Sequence, residues 1–489
     1  MAEPHSRTVA ALFPGQGAFN GEALLAAAAC HPEIGAAFAE IDEVTAPLTG
    51  RKLSDVVLGG DPVTITALLD DEPWVSQLAI YGVDVAVHRV LSAAGFRADV
   101  LIGHSLGEIA ALTCAGVYTV GDGARVIWHR VAAIGSVDQR GGYMAALSTD
   151  AVRAGHLVAL VGDESLAVAV ENHRGQTVVS GSGAAMDLMR QVAGVLRISV
   201  ARLESPVPYH CPLLAPAVDR FAAAVRAIPA EPGHTQVYSP ILGRHYTADD
   251  DLGQSLAGHL VRPVRFGAAV RTLYQQGVRV FVESGALGTL GKLVTRVLDE
   301  ADGGSDSVAI AGLTDADDPV GPALQALRAA GVLMPEPAVL AALLPEAVSG
   351  NGLASFWADR GPVIIDLLRR EYAAYRDGHA SPGSGVGEPS PTPTPSAAQG
   401  RGASSGSLAE ELRRLYADAL EYPEEVFTDD VLLEADLGID SVKQVELFSQ
   451  VSERYGLPPR PEGFRLSDYH TMGRVIDYVQ SMIDKAYSH

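Results

Sequence analysis

With 489 residues and 47% apolar composition, the chain can bury at least two hydrophobic cores, one large and one small. A formal net charge of −23 excludes a protein that neutralises a nucleic-acid backbone. Cys30, Cys114 and Cys211 lack the paired spacing of a disulfide framework or a metal site, and no signal core or long apolar span is present, so a cytoplasmic chain that meets no membrane is expected.

Thr8–Phe13 is a short apolar run that ends in Pro14-Gly15-Gln16-Gly17, which predicts a buried strand entering a tight turn. The pattern recurs at Val100–Ile102, where Gly103-His104-Ser105-Leu106-Gly107-Glu108 leads into a predicted helix from Leu106 to about Ala115. Both are strand-to-loop junctions of an α/β sheet, where active sites gather. Gly-x-Ser-x-Gly makes a strained turn that projects a serine oxygen. That hydroxyl needs a base at neutral pH. The best candidate is His210, in the proline-punctuated loop Pro206-Val207-Pro208-Tyr209-His210-Cys211-Pro212. A predicted helix over Ala124–Arg130 carries Arg130, whose guanidinium either lies on a solvated face or holds a carboxylate through two parallel hydrogen bonds.

From about 143 to 203 the pattern becomes βαββαβ: strands at Met144–Leu147, Ala167–Val170, Thr177–Ser180 and Ile198–Ala201, with helices near Val152–Leu160 and Ala184–Ala193. This order is that of an inserted ferredoxin-like unit. The larger domain resumes with helices near 213–227 and 266–275, a strand at Val278–Val282 and a helix after Gly288.

Residues 314–377 read as a mostly helical spacer, ending in the amphipathic Pro362–Tyr375. Residues 378–406 hold five prolines, many Gly and Ser, and only Glu388 and Arg401 as charges, so they form a linker. Such a tether spans roughly 30 Å on average and about 90 Å when extended. Residues 407–489 predict a small helical bundle, with helices at about Leu408–Leu420, Lys443–Tyr455 and Met472–Ala486. They carry 17 Asp/Glu against 8 Lys/Arg, an acidic balance suited to docking on basic enzyme surfaces. Ser441 alone reads as a helix N-cap. Within Leu437-Gly438-Ile439-Asp440-Ser441-Val442, before an amphipathic helix, it reads as the attachment point of a carrier domain.

Phe13-Pro14-Gly15-Gln16-Gly17, Gly103–Glu108 and Val207–Cys211 stand in the order found in malonyl-CoA:acyl carrier protein acyltransferases and the acyltransferase domains of polyketide synthases, which the chain resembles over roughly residues 8–312. The resemblance implies an α/β acyltransferase over residues 1–313, with a hydrolase-like core sheet and the ferredoxin-like insertion, followed by an all-α acyl carrier bundle. It implies a Ser105–His210 dyad whose imidazole is oriented by backbone carbonyls, that of His259 among them. The N–H groups of Gln16 and Leu106 would form the oxyanion hole. Arg130, 25 positions after Ser105, would bind the carboxylate of a malonyl-type acyl group. Tyr209 would crowd the carbon between the two carbonyls and favour malonyl over methylmalonyl, although Val207-Pro208-Tyr209-His210 matches none of the family's specificity tetrads. Glu283–Leu287 also departs from the family's usual Gly-Pro.

The carrier motif resembles that of acyl carrier proteins, which implies 4′-phosphopantetheine on Ser441. Implied partners are malonyl-CoA or a related acyl-CoA, a phosphopantetheinyl transferase, and a ketosynthase or other synthase enzyme docking on the carrier. No metal is expected. The competing enzyme is a serine thioesterase or α/β-hydrolase, which places an acidic residue between Ser and His and has no need of the arginine.

Overall fold

The computed structural model describes residues 8–300, 306–314 and 316–333, a few positions between 360 and 370, and, further on, the helices Ser405–Leu420 and Met472–Ala486 with isolated positions between them. The chain divides into two units, Met1–Leu368 and Arg369–His489.

A six-stranded sheet organises the larger unit in the order β10-β9-β1-β2-β7-β8. Its strands are β1 (Thr8–Phe13), β2 (Val100–Gly103), β7 (Gln236–Ser239), β8 (Arg244–His245), β9 (Val278–Glu283) and β10 (Val308–Ala311). All pairings are parallel except β7 with β8. Parallel strands covered on both faces read as continuous apolar runs, which is why Val9–Phe13 and Val100–Ile102 stand out in the sequence. Phe13 lies opposite Gly103, so the Pro14 turn and the Ser105 turn leave the sheet side by side. The helix Pro73–Ala93 runs through the core and is buried continuously from Trp74 to Val87.

The second sheet has the order β4-β5-β3-β6, with β3 Tyr143–Leu147, β4 Ala167–His173, β5 Gln176–Gly181 and β6 Val200–Arg202. Its neighbours are antiparallel, and the helices Ala151–Val161 and Gly183–Val195 connect them in the expected ferredoxin-like order. Asp150 and Ser182 cap these helices by accepting from the backbone N–H of Arg153 and Ala185. Leu147, Leu157, Val179, Met186 and Met189 form a separate small core.

The helix Gly321–Ala329 falls in the segment expected to be a spacer. Ala323, Leu327, Ala330 and Leu333 nonetheless pack into the core that holds β1, so the start of that segment is built into the α/β unit. Most of Pro362–Tyr375, and residues 378–404, lie outside the described residues. In the smaller unit, Leu408, Leu412 and Leu415 share a buried cluster with Met472, Val475, Val479 and Met482. Both helices thus bury one stripe with the spacing of successive turns. The motif Leu437–Val442 and most of the Lys443–Tyr455 helix lie outside the described residues.

Candidate active site

Ser105 sits between β2 and the helix Gly107–Cys114 with φ 57°, the left-handed region that a serine enters only under constraint. The flanking glycines impose it. A Cβ on Gly103 would collide with the backbone of Glu108, and one on Gly107 with the carbonyls of Phe13 and Pro14. The backbone N–H of His104 donates to the Phe13 carbonyl at 2.9 Å, which stitches the serine turn to the Pro14 turn. Ser105 itself is half-buried.

His210 also has a left-handed backbone, with φ 61°, and is 2% exposed. The Ser105 hydroxyl donates to its Nε2 at 2.7 Å. Its Nδ1 lies 2.9 Å from the carbonyl oxygen of Arg262. A carbonyl only accepts, so Nδ1 carries the proton and Nε2 presents a lone pair to the serine. The expected carbonyl of His259 is therefore corrected to that of Arg262. The chain after the helix Leu252–Gly258 keeps turning through His259, with the Arg262 N–H bonded back to the Gly258 carbonyl. Arg262 precedes Pro263, where the chain leaves that turn and its carbonyl becomes available. His259 contributes through its side chain instead. Its Nε2 lies 3.3 Å from the buried Glu108 carboxylate and 3.2 Å from the Tyr246 hydroxyl, which donates to Glu108 at 2.9 Å. Burial, followed by the charge of Arg130, pushes the His210 pKa down to about 3, so the imidazole is held neutral.

Among the described residues, the backbone N–H groups of Gln16 and Leu106 donate to no protein acceptor. That of Leu106 opens the helix after the nucleophile, where N–H groups have no partner within the helix. Two unspent donors, one in each of the neighbouring Pro14 and Ser105 turns, are groups of the kind an oxyanion hole uses.

Arg130 lies on the helix Val120–Ile134 and is 3% exposed. No ion pair among the described residues involves it. Its guanidinium stands 4.6 Å over the Tyr209 ring and donates through Nη1 to Gln77 Oε1. Gln77 in turn donates from Nε2 to the Tyr209 hydroxyl at 3.0 Å. Burial pulls the Arg130 pKa below the usual arginine value. A buried cation lacking a carboxylate partner is costly, and an anionic ligand would relieve it.

Sequence reasoning missed Gln77 and Asn172. Gln77 is a single amide in the apolar run of the helix Pro73–Ala93, and that polar interruption was its signal. Asn172, on β4, accepts from His104 Nε2 at 3.3 Å and so links the small sheet to the serine turn; nothing local marks it. Glu283–Leu287 crosses beside Pro14, and a Cβ on Gly285 would strike that ring, so the variant sequence there meets a close backbone approach. Ser441 lies outside the described residues.

The acyl transferase domain family matches residues 12–343, and the phosphopantetheine attachment site family matches residues 410–479. Malonyl CoA-acyl carrier protein transacylase of Bacillus subtilis is 29% identical over 297 residues, covering 59% of this chain and 90% of that protein. Polyketide synthase GfsB of Streptomyces halstedii is 29% identical over 316 residues, covering 64% of this chain and 6% of that protein. The chain spans 6–13% of the length of GfsB and the similar synthases it matches. The crystal structure of the acyltransferase domain from the second module of the salinomycin polyketide synthase superposes with a TM-score of 0.59 at 26% identity, covering 71% of this chain and 79% of that one. By its sheet, its serine turn and these matches, the chain belongs to the acyl transferase domain family, joined to a phosphopantetheine-bearing carrier domain.

Proposed function

We propose that this protein moves a malonyl group from coenzyme A to Ser105 and then to the carrier arm on Ser441, with Ser105 and His210 as a catalytic dyad. Buried, unpaired Arg130 carries the reading: a free carboxylate on the acyl group supplies the partner that the protein withholds.

His210 Nε2 takes the Ser105 proton as the oxygen attacks the thioester carbon. The N–H groups of Gln16 and Leu106 receive the charge that develops on the carbonyl oxygen. The imidazolium returns its proton to the departing thiolate, leaving an ester on Ser105. In the second half, His210 deprotonates an incoming thiol and then reprotonates Ser105 as the ester is displaced. The phosphopantetheine arm supplies that thiol when attached to the carrier. The Nδ1 partner is a backbone carbonyl, whereas the competing hydrolase reading requires a carboxylate there, so the observation favours acyl transfer.

The proposal requires a phosphopantetheinyl transferase to charge Ser441, a ketosynthase or similar enzyme to draw on the loaded carrier, and cytoplasmic acyl-CoA. Intact-protein mass spectrometry tests it. Malonyl-CoA should add one malonyl group to the apo protein, and Ser105→Ala should abolish the adduct. Labelling that persists in that variant, or rapid release of free malonate with no carrier present, would refute it. In the phosphopantetheinylated chain a second malonyl group should appear, and Ser441→Ala should remove both the arm and that second addition.

A further inference from the structure

We infer that the Tyr209 hydroxyl is a second hydrogen-bond donor to the free carboxylate of the acyl group, beside Arg130, and that Gln77 is the positioning residue that aims both. The inference rests on the reading of the substrate as a dicarboxylic monothioester.

The direction of the hydrogen bonds carries it. A guanidinium only donates, so the Gln77 carboxamide must turn its oxygen toward Arg130. Its nitrogen is then committed to donating to the Tyr209 oxygen at 3.0 Å. The phenolic oxygen is thereby used as an acceptor, and its own proton is left over. Among the described residues, that proton has no acceptor, although Tyr209 is buried. Buried hydroxyl protons find partners, so an orphan one beside a binding site points to a ligand oxygen.

One carboxamide thus holds an unpaired cation and an unspent O–H side by side. A carboxylate offers two oxygens, one for each. The location suits malonate, whose carboxylate is a single methylene from the thioester carbon: Tyr209 precedes His210, and the two ring centroids are 6.4 Å apart. The Arg130 Cζ stands 4.6 Å from the centroid of the Tyr209 ring, a cation–π contact that keeps the guanidinium beside the phenol.

Steady-state kinetics on the full chain, with malonyl-CoA and acetyl-CoA as donors, test the assignment. Tyr209→Phe keeps the ring and its stacking and deletes only the donor. It should raise KM for malonyl-CoA about tenfold with little change in kcat, and lower the malonyl-to-acetyl ratio of kcat/KM by about the same factor. It should not improve use of methylmalonyl-CoA, because the ring still fills the space beside the methylene. Gln77→Leu should lower the same ratio, and adding Tyr209→Phe to it should lower that ratio by less than about a further twofold, since the leucine has already released the hydroxyl that Phe deletes. Gln77→Glu, nearly isosteric, should give the largest loss with malonyl-CoA, because it places a competing carboxylate on Arg130. Thermal melts check that each variant is folded. A wild type that prefers malonyl-CoA, with a Phe variant whose KM stays within about twofold, overturns this assignment alone. A wild type with no preference for malonyl-CoA overturns the substrate reading and this assignment with it.

Discussion

Ser105 and His210 both hold left-handed backbones, with φ 57° and 61°, and their side chains meet at 2.7 Å. Each conformation costs a residue with a Cβ about 1–2 kcal/mol. The close approach of Gly103 and Gly107 to their neighbours maintains one, and the bond to the Arg262 carbonyl anchors the other. Strain at both ends of the proposed dyad holds the 2.7 Å contact in place without a ligand.

His210 should act as a base well below the usual histidine pKa. Burial and Arg130 lower that pKa to about 3 in the ligand-free site, so the neutral form dominates throughout the mildly acidic range. The kcat/KM for acylation should stay level from about pH 8 to about pH 5, and a fall centred near pH 6.5 would contradict the assigned environment.

Arg130→Ala should lose about 2–5 kcal/mol of transition-state stabilisation with malonyl-CoA, read from kcat/KM, and should favour acetyl-CoA relatively. Arg130→Lys should recover only part of it, because an ammonium cannot contact Gln77 and a carboxylate with the same planar fork. Unchanged selectivity in both variants would remove Arg130 from the binding site.

Gly107→Ala should destabilise the larger unit by about 3 kcal/mol and abolish Ser105 acylation. The added methyl would meet the Phe13 and Pro14 carbonyls, both fixed in or beside the central sheet. Thermal denaturation and malonyl labelling check the two effects, and a normally labelled Ala variant would show that the turn tolerates a Cβ.

The elements that carry this site were legible where chemistry and local pattern coincide. Phe13–Gly17 and Gly103–Glu108 combine an apolar run with glycines demanded by close approach, and the matching turns appear at those positions. The orienting carbonyl was misplaced by three residues because any residue can supply a carbonyl, so sequence holds no mark of which one the turn after Gly258 exposes. Gln77 is 53 residues from Arg130 and 132 from Tyr209, and only the packing of its helix against the helix Val120–Ile134 and the loop that carries Tyr209 brings it between them. The first helix beyond Leu313 was assigned to a spacer because Ala323, Leu327 and Ala330 form a stripe too slight to announce which core it joins.

Asp84 offers a test of stability. It is fully buried, and among the described residues neither carboxylate oxygen has a hydrogen-bond partner. Burial, then the charge of Glu283, holds its pKa well above the ordinary carboxylate value. Burial also raises Glu283 to about 7, against the N–H groups of Gly291, Leu290 and Thr289. Both pKa values exceed those of the unfolded chain, near 4, so the native state keeps protons that the unfolded state has released, and stability is lost as pH rises from about 4 through about 7. Asp84→Asn should therefore gain in Tm relative to wild type as pH is raised from about 5 to about 8. A gap that stays constant with pH would refute this origin.

The bond that orients His210 comes from a segment laced to the small sheet. Val264, two residues after Arg262, donates to the Ala169 carbonyl at 2.9 Å and accepts from the Glu171 N–H at 2.8 Å. Asn172 on the same strand grips His104 beside the nucleophile. The small sheet therefore clamps both members of the pair, through Val264 to the segment whose carbonyl holds the imidazole and through Asn172 to the turn that holds the serine. A substitution that loosened β4 would act on Nε2 and Oγ together, although no residue of that strand touches either atom.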